Sequence, residues 1–586
     1  MCGIFGYVGK SNNAADLVLE GLKVLEYRGY DSWGVAVIDG EHFKVNKKVG
    51  KIGGATLSLP SSSYGIGHTR WATHGGVTAE NAHPHLSCNS SLALIHNGIV
   101  ENYRELGRTL AKKHKILSET DTEVIVHLVE EEYQKGKSLK DSLRDVFRSL
   151  EGLNAVAVVS SDGEIAVAKN GSPLVLGVGK DEFFLASDAT AILPHTKEVV
   201  FLEDGQLATF GKEGLRLFDV DSGEEMKIKT QILDWEVGDS SLGKHPHYMI
   251  KEIFEQSRVI KNIATTLPPQ AEELARAIKT AKGTYFIGSG TASHACLAGT
   301  YLFSKNARHH VNTAVASEFN YLEDFLKKES LVIALSQSGE TIDVIEPLNA
   351  ARKKGAKVAA VVNSLGSTIY RMGDIKILLG AGPEIAVAST KAYVAKLAFL
   401  LLVTYALKGE VKKAQELLLQ SAAEVERLLE EKNLEKIREV VKVLSSAEHV
   451  YVIGRGISYP TALEAALKMK EVSYVHTEGL AGGELKHGTI ALISPGTPCI
   501  VFAPADETYR SIMSNAQEIH SRGGLIIGVS PKKAQVFDHW IEVKDLGEAS
   551  IIPNVIPAQL FGYFMALEKG LDPDKPRNLA KAVTVK

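Results

Sequence analysis

Hydrophobic and polar positions alternate in two different ways along this chain of 586 residues. In the first 220 residues or so, LALIHNGIV and LNAVAVVSSDGEIAVAKN predict strands, and the second of these predicts a hairpin that turns at Asp162 and Gly163. Apolar residues at helical spacing in TDTEVIVHLVEEEYQKG predict a helix with Asp121 or Thr122 as its cap. The N-terminal region is therefore expected to be α+β.

A second pattern follows, in which apolar strands alternate with helices. The strands are TYFIGSG, SLVIALSQSGE and AKVAAVVNS, and then HVYVIGRG, PCIVFAPADE and GLIIGVS. Such alternation predicts parallel sheets covered by helices. The pattern also repeats, because Gly288 aligns with Gly454 and Gly355 aligns with Gly523. We therefore expect two copies of one doubly wound α/β unit, separated by the helical stretch EVERLLEEKNLEKIREVVKVL.

Chain length and the change of pattern predict a multidomain protein, since one core rarely serves so long a chain. Between the two patterns the sequence turns polar and loses its periodicity, which indicates a linker. The expected parts are an N-terminal domain over 1–220, a linker over 221–247, doubly wound domains over 248–430 and 431–570, and a tail over 571–586.

Composition describes a soluble protein without nucleic-acid or membrane partners. The 66 basic residues nearly balance the 70 acidic ones, and the apolar stretch from Leu397 to Leu407 is too short to span a bilayer. No secretory signal is expected at the start. The cysteines, Cys2, Cys88, Cys296 and Cys499, lack CxxC spacing, which argues against a disulfide framework and a structural zinc site. A reducing cytoplasm fits best.

The loop SQSGET, residues 336–341, has the chemistry of a phosphate site. It follows an apolar strand and precedes a helix, so hydroxyl groups, backbone N–H groups and the helix dipole meet there. The alternative is an ordinary helix cap by Ser338 or Thr341. The loops IGSGTAS and IGRGISY lack the remaining glycine of a dinucleotide fingerprint and a GK[ST] sequence, so neither NAD nor a nucleoside triphosphate is indicated.

The second copy carries candidate proton-transfer groups. Glu464, Lys468 and Glu471 share one face of the predicted helix PTALEAALKMKEVSY, and taken alone this spacing predicts a salt-bridge ladder on an outer surface. The following segment, GGELKHG, places His487 in a glycine-flanked loop. That histidine is either a proton-transfer group or a solvated loop residue.

A cysteine directly behind the initiator methionine suggests a nucleophile. Cleavage of Met1 leaves an α-amino group of pKa roughly 7.7 to 8.0 on the same residue as the Cys2 thiol, so one residue supplies nucleophile and base. Alone, Cys2 is better explained as a frayed or buried terminus. However, Arg70 in GHTRWATHG suits a carboxylate, and Asn97 with Gly98 in HNG suits an oxyanion hole.

These motifs resemble those of the glutamine:fructose-6-phosphate aminotransferase (isomerising) family over essentially the whole chain. MCGIFGYVG, LEYRGYDS, HTRWATHG, NAHPH, HNGIVENY and SETDTEVI resemble the class II glutaminase domain, an N-terminal-nucleophile hydrolase with an αββα sandwich. SQSGET, VASTKAY, LKMKEVSY, GELKHG and RNLAKAVTV resemble two sugar-isomerase (SIS) domains and their active-site tail.

The resemblance implies a reaction and its partners. Glutamine and fructose 6-phosphate would give glutamate and glucosamine 6-phosphate through an internal ammonia channel, without a metal or other cofactor, in a cytoplasmic homodimer formed through the SIS domains. One alternative is a glutamine-dependent aminotransferase or deaminase that acts on another ketose phosphate. Another alternative is a non-catalytic phosphosugar sensor, since SIS domains also occur in regulators.

In the glutaminase half, the resemblance assigns roles residue by residue. Cys2 would form a thioester with glutamine, and Asn97 and Gly98 would form the oxyanion hole. Trp71 would gate the passage of ammonia. The residues expected to hold glutamine are Arg70, Thr73, His74 and Asp121.

In the isomerase half, the resemblance assigns Lys581 to a Schiff base with fructose 6-phosphate and His487 to ring opening. Glu471 would move a proton between C1 and C2 of the sugar, with Lys468 nearby. The residues expected to contact the sugar phosphate are Thr291, Ser336, Gln337, Ser338, Thr341, Val387 and Ser389.

Several positions depart from the family pattern. Ala292 replaces a phosphate-binding serine, with Ser293 beside it as a possible substitute. Trp33 stands where alanine is usual, and a tryptophan there is expected to reshape the glutaminase loop. Ala582 and Lys586 replace a serine and a glutamate in the tail. Sugar affinity is the property we expect these departures to change.

Overall fold

The structure is a computed structural model that describes residues 2–110, 113–211, 214–233 and 241–583. The chain divides into two compact units. The first contains Met1–Ser241 together with Ala580–Lys586, and the second contains Leu242–Leu579. Antiparallel sheets build the first unit, and parallel sheets build the second.

The first unit contains two antiparallel sheets. The order of strands in the first sheet is β15 (Gln231–Ile232), β11 (Glu198–Phe201), β9 (Val175–Val178), β10 (Phe183–Ala186), β1 (Gly3–Val8), β4 (Tyr64–Arg70), β2 (Ser32–Asp39) and β3 (His42–Val49). The order in the second sheet is β14 (Glu225–Met226), β13 (Gly214–Asp219), β12 (Gln206–Gly211), β8 (Ile165–Asn170), β7 (Asn154–Ser160), β6 (Leu92–Gly98) and β5 (His85–Leu86). Its helices are α1 (Ala14–Leu25), α2 (Tyr103–Leu110), α3 (Asp121–Gln134) and α4 (Leu139–Phe147).

The two sheets pack face to face between helices. Ile4 and Ile66 of the first sheet share one buried cluster with Ile95 of the second. Helices α3 and α4 cover the opposite face of the second sheet, and α1 covers the opposite face of the first. The four layers confirm the expected αββα sandwich, because each sheet buries one face on the other and one face on helices.

Pairing of β7 with β8 confirms the predicted hairpin, but the predicted helix cap is wrong. Helix α3 begins at Asp121, and the residue before it, Thr120, occupies the cap position. The Asp121 carboxylate accepts the Val100 N–H at 2.8 Å, while the Thr122 hydroxyl bonds His96 Nδ1 at 2.9 Å. Both side chains are therefore used in tertiary contacts and not at the helix end.

Part of the segment 221–247, which the sequence indicates as a linker, lies in these sheets. Strand β14 pairs with β13, and β15 pairs with β11. Both are two-residue edge strands whose side chains are exposed, so backbone pairing needs no apolar alternation there. Residues 234–240 of the predicted linker lie outside the described residues.

The second unit contains two parallel sheets with the same topology. The order in the first is β17 (Asn312–Val315), β16 (Gly283–Gly288), β18 (Ser330–Leu335), β19 (Lys357–Val362) and β20 (Ile375–Leu378). The order in the second is β22 (His476–Ala481), β21 (His449–Gly454), β23 (Pro498–Phe502), β24 (Leu525–Ser530) and β25 (His539–Glu542). In each sheet the chain's second strand lies outside the first, so the two doubly wound copies are confirmed.

Helices surround and separate these sheets. They are α5 (Tyr248–Phe254), α6 (Gln256–Thr266), α7 (Pro268–Thr280), α8 (Thr291–Leu302), α9 (Ala316–Phe319), α10 (Ile342–Lys353), α11 (Thr368–Met372), α12 (Lys391–Lys408), α13 (Val411–Leu428), α14 (Glu431–Ser445), α15 (Ser458–Ser473), α16 (Tyr509–His520) and α17 (Val555–Glu568). One segment of the described chain, Gly547–Glu568, has the length and composition of a membrane span, but 94% of its apolar window is buried. Its helical part, α17, belongs to the core of the second unit.

The repeated glycine of the two IG pairs has a packing role. A Cβ atom on Gly454 would lie 2.2 Å from the carbonyl oxygen of Ser458, in the first turn of α15. A Cβ atom on Gly288 would lie 2.9 Å from the carbonyl carbon of Ala292, at the same place in α8. Glycine therefore lets each helix start directly against the strand that precedes it.

Four buried histidines lie in the first unit, within or beside strands β4, β5 and β6. They are His68, His83, His85 and His96. Burial lowers the pKa of each, that of His68 to about 3, because a charged imidazolium is poorly solvated there. All four are neutral at physiological pH.

We predict that His83→Gln weakens the acid sensitivity of the fold. An unfolded histidine takes up a proton below about pH 6.5, whereas folded His83 stays neutral well below that pH. Its contribution to the free energy of unfolding is complete above pH 6.5 and falls by up to about 1.4 kcal/mol for each pH unit below it. Urea unfolding midpoints at pH 7 and pH 5.5 measure this difference, with a change at the exposed His42 of β3, His42→Gln, as the control. Equal pH dependence in wild type and His83→Gln would contradict the prediction.

Candidate active sites

Strand pairing fixes the start of the chain in the first unit. Strand β1 lies between β10 and β4, with Gly3 paired to Thr69 and Phe5 paired to Ala186. The Gly3 N–H donates to the Thr69 hydroxyl at 3.0 Å, and a Cβ atom on Gly3 would lie 2.5 Å from that oxygen. Cys2 is therefore held at the end of a central strand.

Trp71 provides the immediate surroundings of the Cys2 thiol. Its backbone N–H donates to Cys2 Sγ at 3.2 Å, and its carbonyl oxygen lies 3.6 Å from Sγ as an acceptor for the thiol proton. Burial raises the pKa of the Cys2 thiol and outweighs the nearby positive charges that lower it. The thiol therefore needs a base before it can act as a nucleophile at neutral pH.

Asn97 is held against Cys2 in a fixed orientation. Its Nδ2 atom donates to the Cys2 carbonyl oxygen at 3.0 Å, and its Oδ1 lies 3.0 Å from His68 Nε2. The same nitrogen lies 3.0 Å from the His96 carbonyl oxygen. Both of these partners are acceptors, so His68 Nε2 carries the hydrogen and donates. The Asn97 N–H₂ group is thereby directed towards Cys2.

His68 is a residue that the sequence analysis missed. It belongs to the motif GHTRWATHG, in which only Arg70 and the residues after it were assigned a role. Strand alternation could have identified it, because His68 lies on β4 two residues before Arg70 and its side chain points to the same face of the strand.

Gly98 follows Asn97 in a conformation that favours glycine. Its φ is +143°, and a Cβ atom there would lie 2.2 Å from the Leu153 carbonyl oxygen. The close approach of β7 thus leaves the backbone beside Asn97 without a side chain. The structure places Trp71 and Asn97 against Cys2, with Gly98 next to Asn97 in the chain.

Arg70 builds the loop that follows it. Its guanidinium donates to the carbonyl oxygens of Gly76 at 3.0 Å and Gly75 at 3.2 Å, and also to that of His74. Burial lowers its pKa, against the charges of Cys2, Asp31 and Asp121. The predicted glutamine-binding residues therefore surround one arginine, although Thr73 in its loop is exposed.

The loop is also fixed from its far side. The Gly76 N–H donates to Glu119 Oε2 at 3.1 Å, and Asn81 Nδ2 donates to the same oxygen at 3.1 Å. The ring of His74 meets the ring of Tyr103 edge to face, with centroids 5.5 Å apart. Trp33, which departs from the family pattern, is fully buried on β2, where its backbone lies opposite Thr69 of β4.

In the second unit, the predicted surface ladder on α15 is wrong because the ladder is buried. Glu464 and Lys468 have no exposed side-chain surface, and Glu471 is about one-fifth exposed. Helix α8 meets this face through Thr291 and His294, which bond Glu464, while α17 packs on α15 beside the Lys468 backbone. The sequence spacing was right, but it could not show which neighbour covers the helix.

Lys468 is paired with both carboxylates. Its Nζ atom lies 2.5 Å from Glu471 Oε2 and 3.5 Å from Glu464 Oε1. Burial by itself would lower the pKa of Lys468, but the two carboxylates outweigh burial and raise it. Lys468 is therefore a fixed buried cation at physiological pH, beside the candidate acid–base group Glu471.

Glu464 also connects the two repeats. Its Oε1 accepts the Thr291 hydroxyl at 3.1 Å, and its Oε2 lies 2.8 Å from His294 Nδ1. Thr291 and His294 belong to α8 of the first copy, whereas Glu464 belongs to α15 of the second. Thr291, a predicted phosphate contact, is thus linked to the buried charges of the other copy.

The loop SQSGET lies between β18 and α10 as predicted. The Ser336 hydroxyl accepts the Gly339 N–H at 3.0 Å, and the Ser338 hydroxyl accepts the Glu340 N–H at 3.2 Å. Thr341 occupies the cap position of α10 without a side-chain cap bond. Capping by a side chain therefore does not account for these hydroxyl groups. The turn places them directly before the start of a 12-residue helix.

Val387 and Ser389 lie in the segment before α12, beside part of the C-terminal tail. The Val387 N–H donates to the Asp574 carbonyl oxygen at 3.0 Å, and the Ser389 hydroxyl donates to Glu384 Oε2 at 2.9 Å. The Asp574 carboxylate accepts the N–H groups of Tyr248 and Met249, each at 2.7 Å. The tail is thereby fixed at Asp574.

Two other predicted residues, His487 and Lys581, do not contact the buried charges of Glu464, Lys468 and Glu471 in any described hydrogen bond or ion pair. His487 is exposed at the end of the short turn Glu484–His487. Lys581 groups with the first unit, whereas Glu471 and His487 lie in the second.

Ala292 is buried, and the Ser293 hydroxyl donates to the Gly290 carbonyl oxygen at 2.7 Å. The tail departure Ala582 is buried, while Lys586 lies outside the described residues.

Comparisons with known proteins agree with this division. A family model described as a glutamine amidotransferase domain matches residues 68–194, and the SIS domain model matches residues 277–406 and 443–561. Among solved structures, the C-terminal domain of glucosamine-fructose-6-phosphate aminotransferase from Francisella tularensis matches with 32% identity and a TM-score of 0.53, covering 57% of this chain and 99% of that one.

Full-length relatives carry one name. The chain is 42% identical to the glutamine–fructose-6-phosphate aminotransferase [isomerizing] of Thermococcus kodakarensis and 43% identical to that of Thermus thermophilus. Each comparison covers 100% of both chains. The chain therefore belongs to the glutamine–fructose-6-phosphate aminotransferase (isomerizing) family.

Proposed function

We propose that this protein converts fructose 6-phosphate and glutamine to glucosamine 6-phosphate and glutamate. One observation supports this proposal most strongly: one chain contains both a thiol beside a fixed amide donor, at Cys2 and Asn97, and a buried charged helix face in a tandem SIS unit. The first arrangement suits release of ammonia from an amide, and the second suits proton transfer on a sugar phosphate.

Glutamine hydrolysis begins at Cys2. With Met1 removed, the α-amino group takes the thiol proton, and Sγ attacks the side-chain amide carbon of glutamine. Asn97 Nδ2 and the Gly98 N–H stabilise the oxyanion that forms. The intermediate collapses to a thioester and ammonia, and water then hydrolyses the thioester to glutamate. Because burial raises the pKa of the thiol, an amine on the same residue is the required base.

The loop after Arg70 positions glutamine. Arg70 fixes the backbone of residues 74–76, so that His74, Thr73 and Asp121 hold the amino-acid end of glutamine while Trp71 gates the departing ammonia. A closed passage keeps ammonia away from water, where most of it would be protonated and lose its nucleophilicity.

The sugar phosphate binds at the loop after β18. Hydroxyl and N–H groups of Ser336, Gln337, Ser338 and Thr341 face the phosphate at the N-terminus of α10, with Thr291, Val387 and Ser389 completing the site. Ser289, in the loop before α8, has a buried hydroxyl with no hydrogen-bond partner among the described residues. It is a candidate to replace the donor lost at Ala292.

Isomerisation uses the second copy and the tail. Lys581 forms a Schiff base with C2 of the open-chain sugar, and His487 assists ring opening. Ammonia then displaces the lysine, and Glu471 transfers the proton from C1 to C2. Lys468 Nζ, 2.5 Å from Glu471 Oε2, holds this carboxylate in position for the transfer.

We also infer a homodimer in the cytoplasm. Tyr321, Leu322 and Phe325 of the first SIS domain are 82%, 52% and 44% exposed, an apolar patch that suits a second copy of the chain. The described cysteines are free thiols, as a reducing compartment favours.

We predict that Cys2→Ala abolishes glutamine-dependent synthesis and leaves phosphosugar isomerisation intact, since only the first reaction uses the thiol. Protein that retains Met1, identified by its intact mass, should likewise lose glutamine-dependent synthesis and keep isomerisation. Assays of glutamate release and of sugar isomerisation measure the two activities, and Cys499→Ala, which removes a thiol on β23, should keep both. Equal loss of both activities in Cys2→Ala would count against two separable sites.

We predict that Asn97→Ala lowers kcat for glutamine hydrolysis by roughly 10²–10³-fold with little change in KM, because an oxyanion donor acts mainly on the transition state. His68→Leu should also lower kcat, whereas His68→Gln, which keeps an N–H donor, should recover much of it. Since His68 acts through Asn97, adding His68→Leu to Asn97→Ala should cost little more. Additive losses in that double variant would show that His68 has a different role.

We predict that Lys581→Ala removes the adduct that borohydride traps with fructose 6-phosphate, because the Schiff base requires this amine. Intact mass measures the adduct. Lys569→Ala, a change at an exposed lysine nearby in the sequence, should leave the adduct unchanged. An undiminished adduct in Lys581→Ala would refute the assigned role.

A further inference from the structure

Four side chains of metal-binding type converge at one place in the first unit. Cys88 lies just after β5, His114 lies between α2 and α3, and His127 and Glu130 lie one turn apart on α3. One ligand atom from each side chain can be chosen so that all four lie within 4.8 Å of one another.

Four of the six distances between these atoms lie close to those around a tetrahedral ion. Cys88 Sγ lies 3.3 Å from His114 Nδ1 and 3.8 Å from His127 Nδ1, while Glu130 Oε2 lies 3.2 Å and 3.1 Å from the same two nitrogens. Zinc bonds of about 2.0–2.3 Å in tetrahedral geometry place ligand atoms roughly 3.3–3.6 Å apart. One sulfur, two imidazoles and one carboxylate favour zinc over magnesium or calcium.

Both histidines also have the outer partners that metal ligands commonly use. His114 Nε2 lies 3.5 Å from Glu131 Oε1, and His127 Nε2 lies 3.5 Å from Glu123 Oε1. Both contacts are longer than the usual hydrogen bond, and His127 Nε2 has no hydrogen-bond partner among the described residues. A carboxylate near Nε2 favours the tautomer that carries its hydrogen there, which leaves the lone pair on Nδ1 for a metal. The two Nδ1 atoms are those that face Cys88 and Glu130.

Hydrogen bonds alone give this cluster an unfavourable arrangement. Glu130 Oε2 already accepts the Cys88 N–H at 3.0 Å, so donation from both Nδ1 atoms would put three donors on one oxygen. The side chains of His114, His127 and Glu130 are at most 7% exposed. A cation at the centre would replace those donors and neutralise the buried carboxylate.

We propose that Cys88, His114, His127 and Glu130 bind one Zn²⁺ ion with a structural role. Four protein ligands leave no open position for a substrate. On binding, the Cys88 thiol loses its proton to solvent and its sulfur bonds the ion. The sequence argument against zinc concerned CxxC frameworks and does not apply to a site with a single cysteine.

The ion would fix a wall of the glutamine site. It would tie residue 114, in the connection between α2 and α3, to the body of α3. The same connection carries Glu119, which accepts the Gly76 N–H of the loop built by Arg70, and leads directly into Asp121. Zinc binding itself does not depend on the proposed reaction, and metal content measures it independently of activity.

Metal analysis of the untagged full-length protein, purified from zinc-supplemented cells, tests the proposal. We expect about one zinc per chain, and Co²⁺ in its place should give the absorption of a thiolate-bound ion. Cys88→Ser and the double variant Cys88→Ser/His127→Gln should lose most of the zinc, and Cys88→Ser should also lose the cobalt–thiolate band. His42→Gln, a change at an exposed residue at the start of β3, is the control and should keep both.

A second measurement separates binding from folding. Competition with a chelator should show that Glu131→Gln weakens zinc affinity roughly 10–100-fold without unfolding the chain. Glu131 lies behind His114 and is not itself a ligand, and its other partner, Lys113, is an exposed lysine. Circular dichroism checks the fold of each variant. Equal zinc content in the wild type and the double variant, or failure of the folded wild type to take up zinc, would overturn the proposal.

Discussion

Backbone hydrogen bonds on both sides of β1 are the constraint on which the first unit depends. Chain ends usually fray, but Gly3–Val8 is a central strand, paired with β4 on one side and β10 on the other. The strand brings Cys2 next to Trp71 at the end of β4, while β6 of the second sheet brings Asn97 to the Cys2 carbonyl. Hydrogen bonds from two neighbouring strands therefore fix the position of Cys2.

In the second unit, buried charge has the corresponding role. Lys468 and Glu464 are fully buried, and such groups are costly unless they are paired. Glu464 meets this need by bonding Thr291 and His294 of the other repeat. The two copies share one strand order, yet the hydroxyl-rich loop belongs to the first and the charged helix face to the second. Neither copy alone holds the full set of groups.

Much of the fold could be predicted from the sequence because periodicity reflects local burial. The β7–β8 hairpin, helix α3 and the repeated parallel sheets all followed from apolar spacing. What failed depended on distant neighbours. The edge strands β14 and β15 need only backbone partners, the charged face of α15 meets α8 of the other repeat, and His68 bonds Asn97. The cluster around Cys88 joins residues from three segments, so no short motif announces it.

The central position of β1 also orders events during synthesis. This strand is synthesised before both of its neighbours, and the later neighbour, β10, ends at Ala186. At roughly 5–20 residues per second, about 10 s or more passes before both edges of β1 can be paired. The strand at the centre of the finished sheet therefore keeps one edge open until β10 has been synthesised.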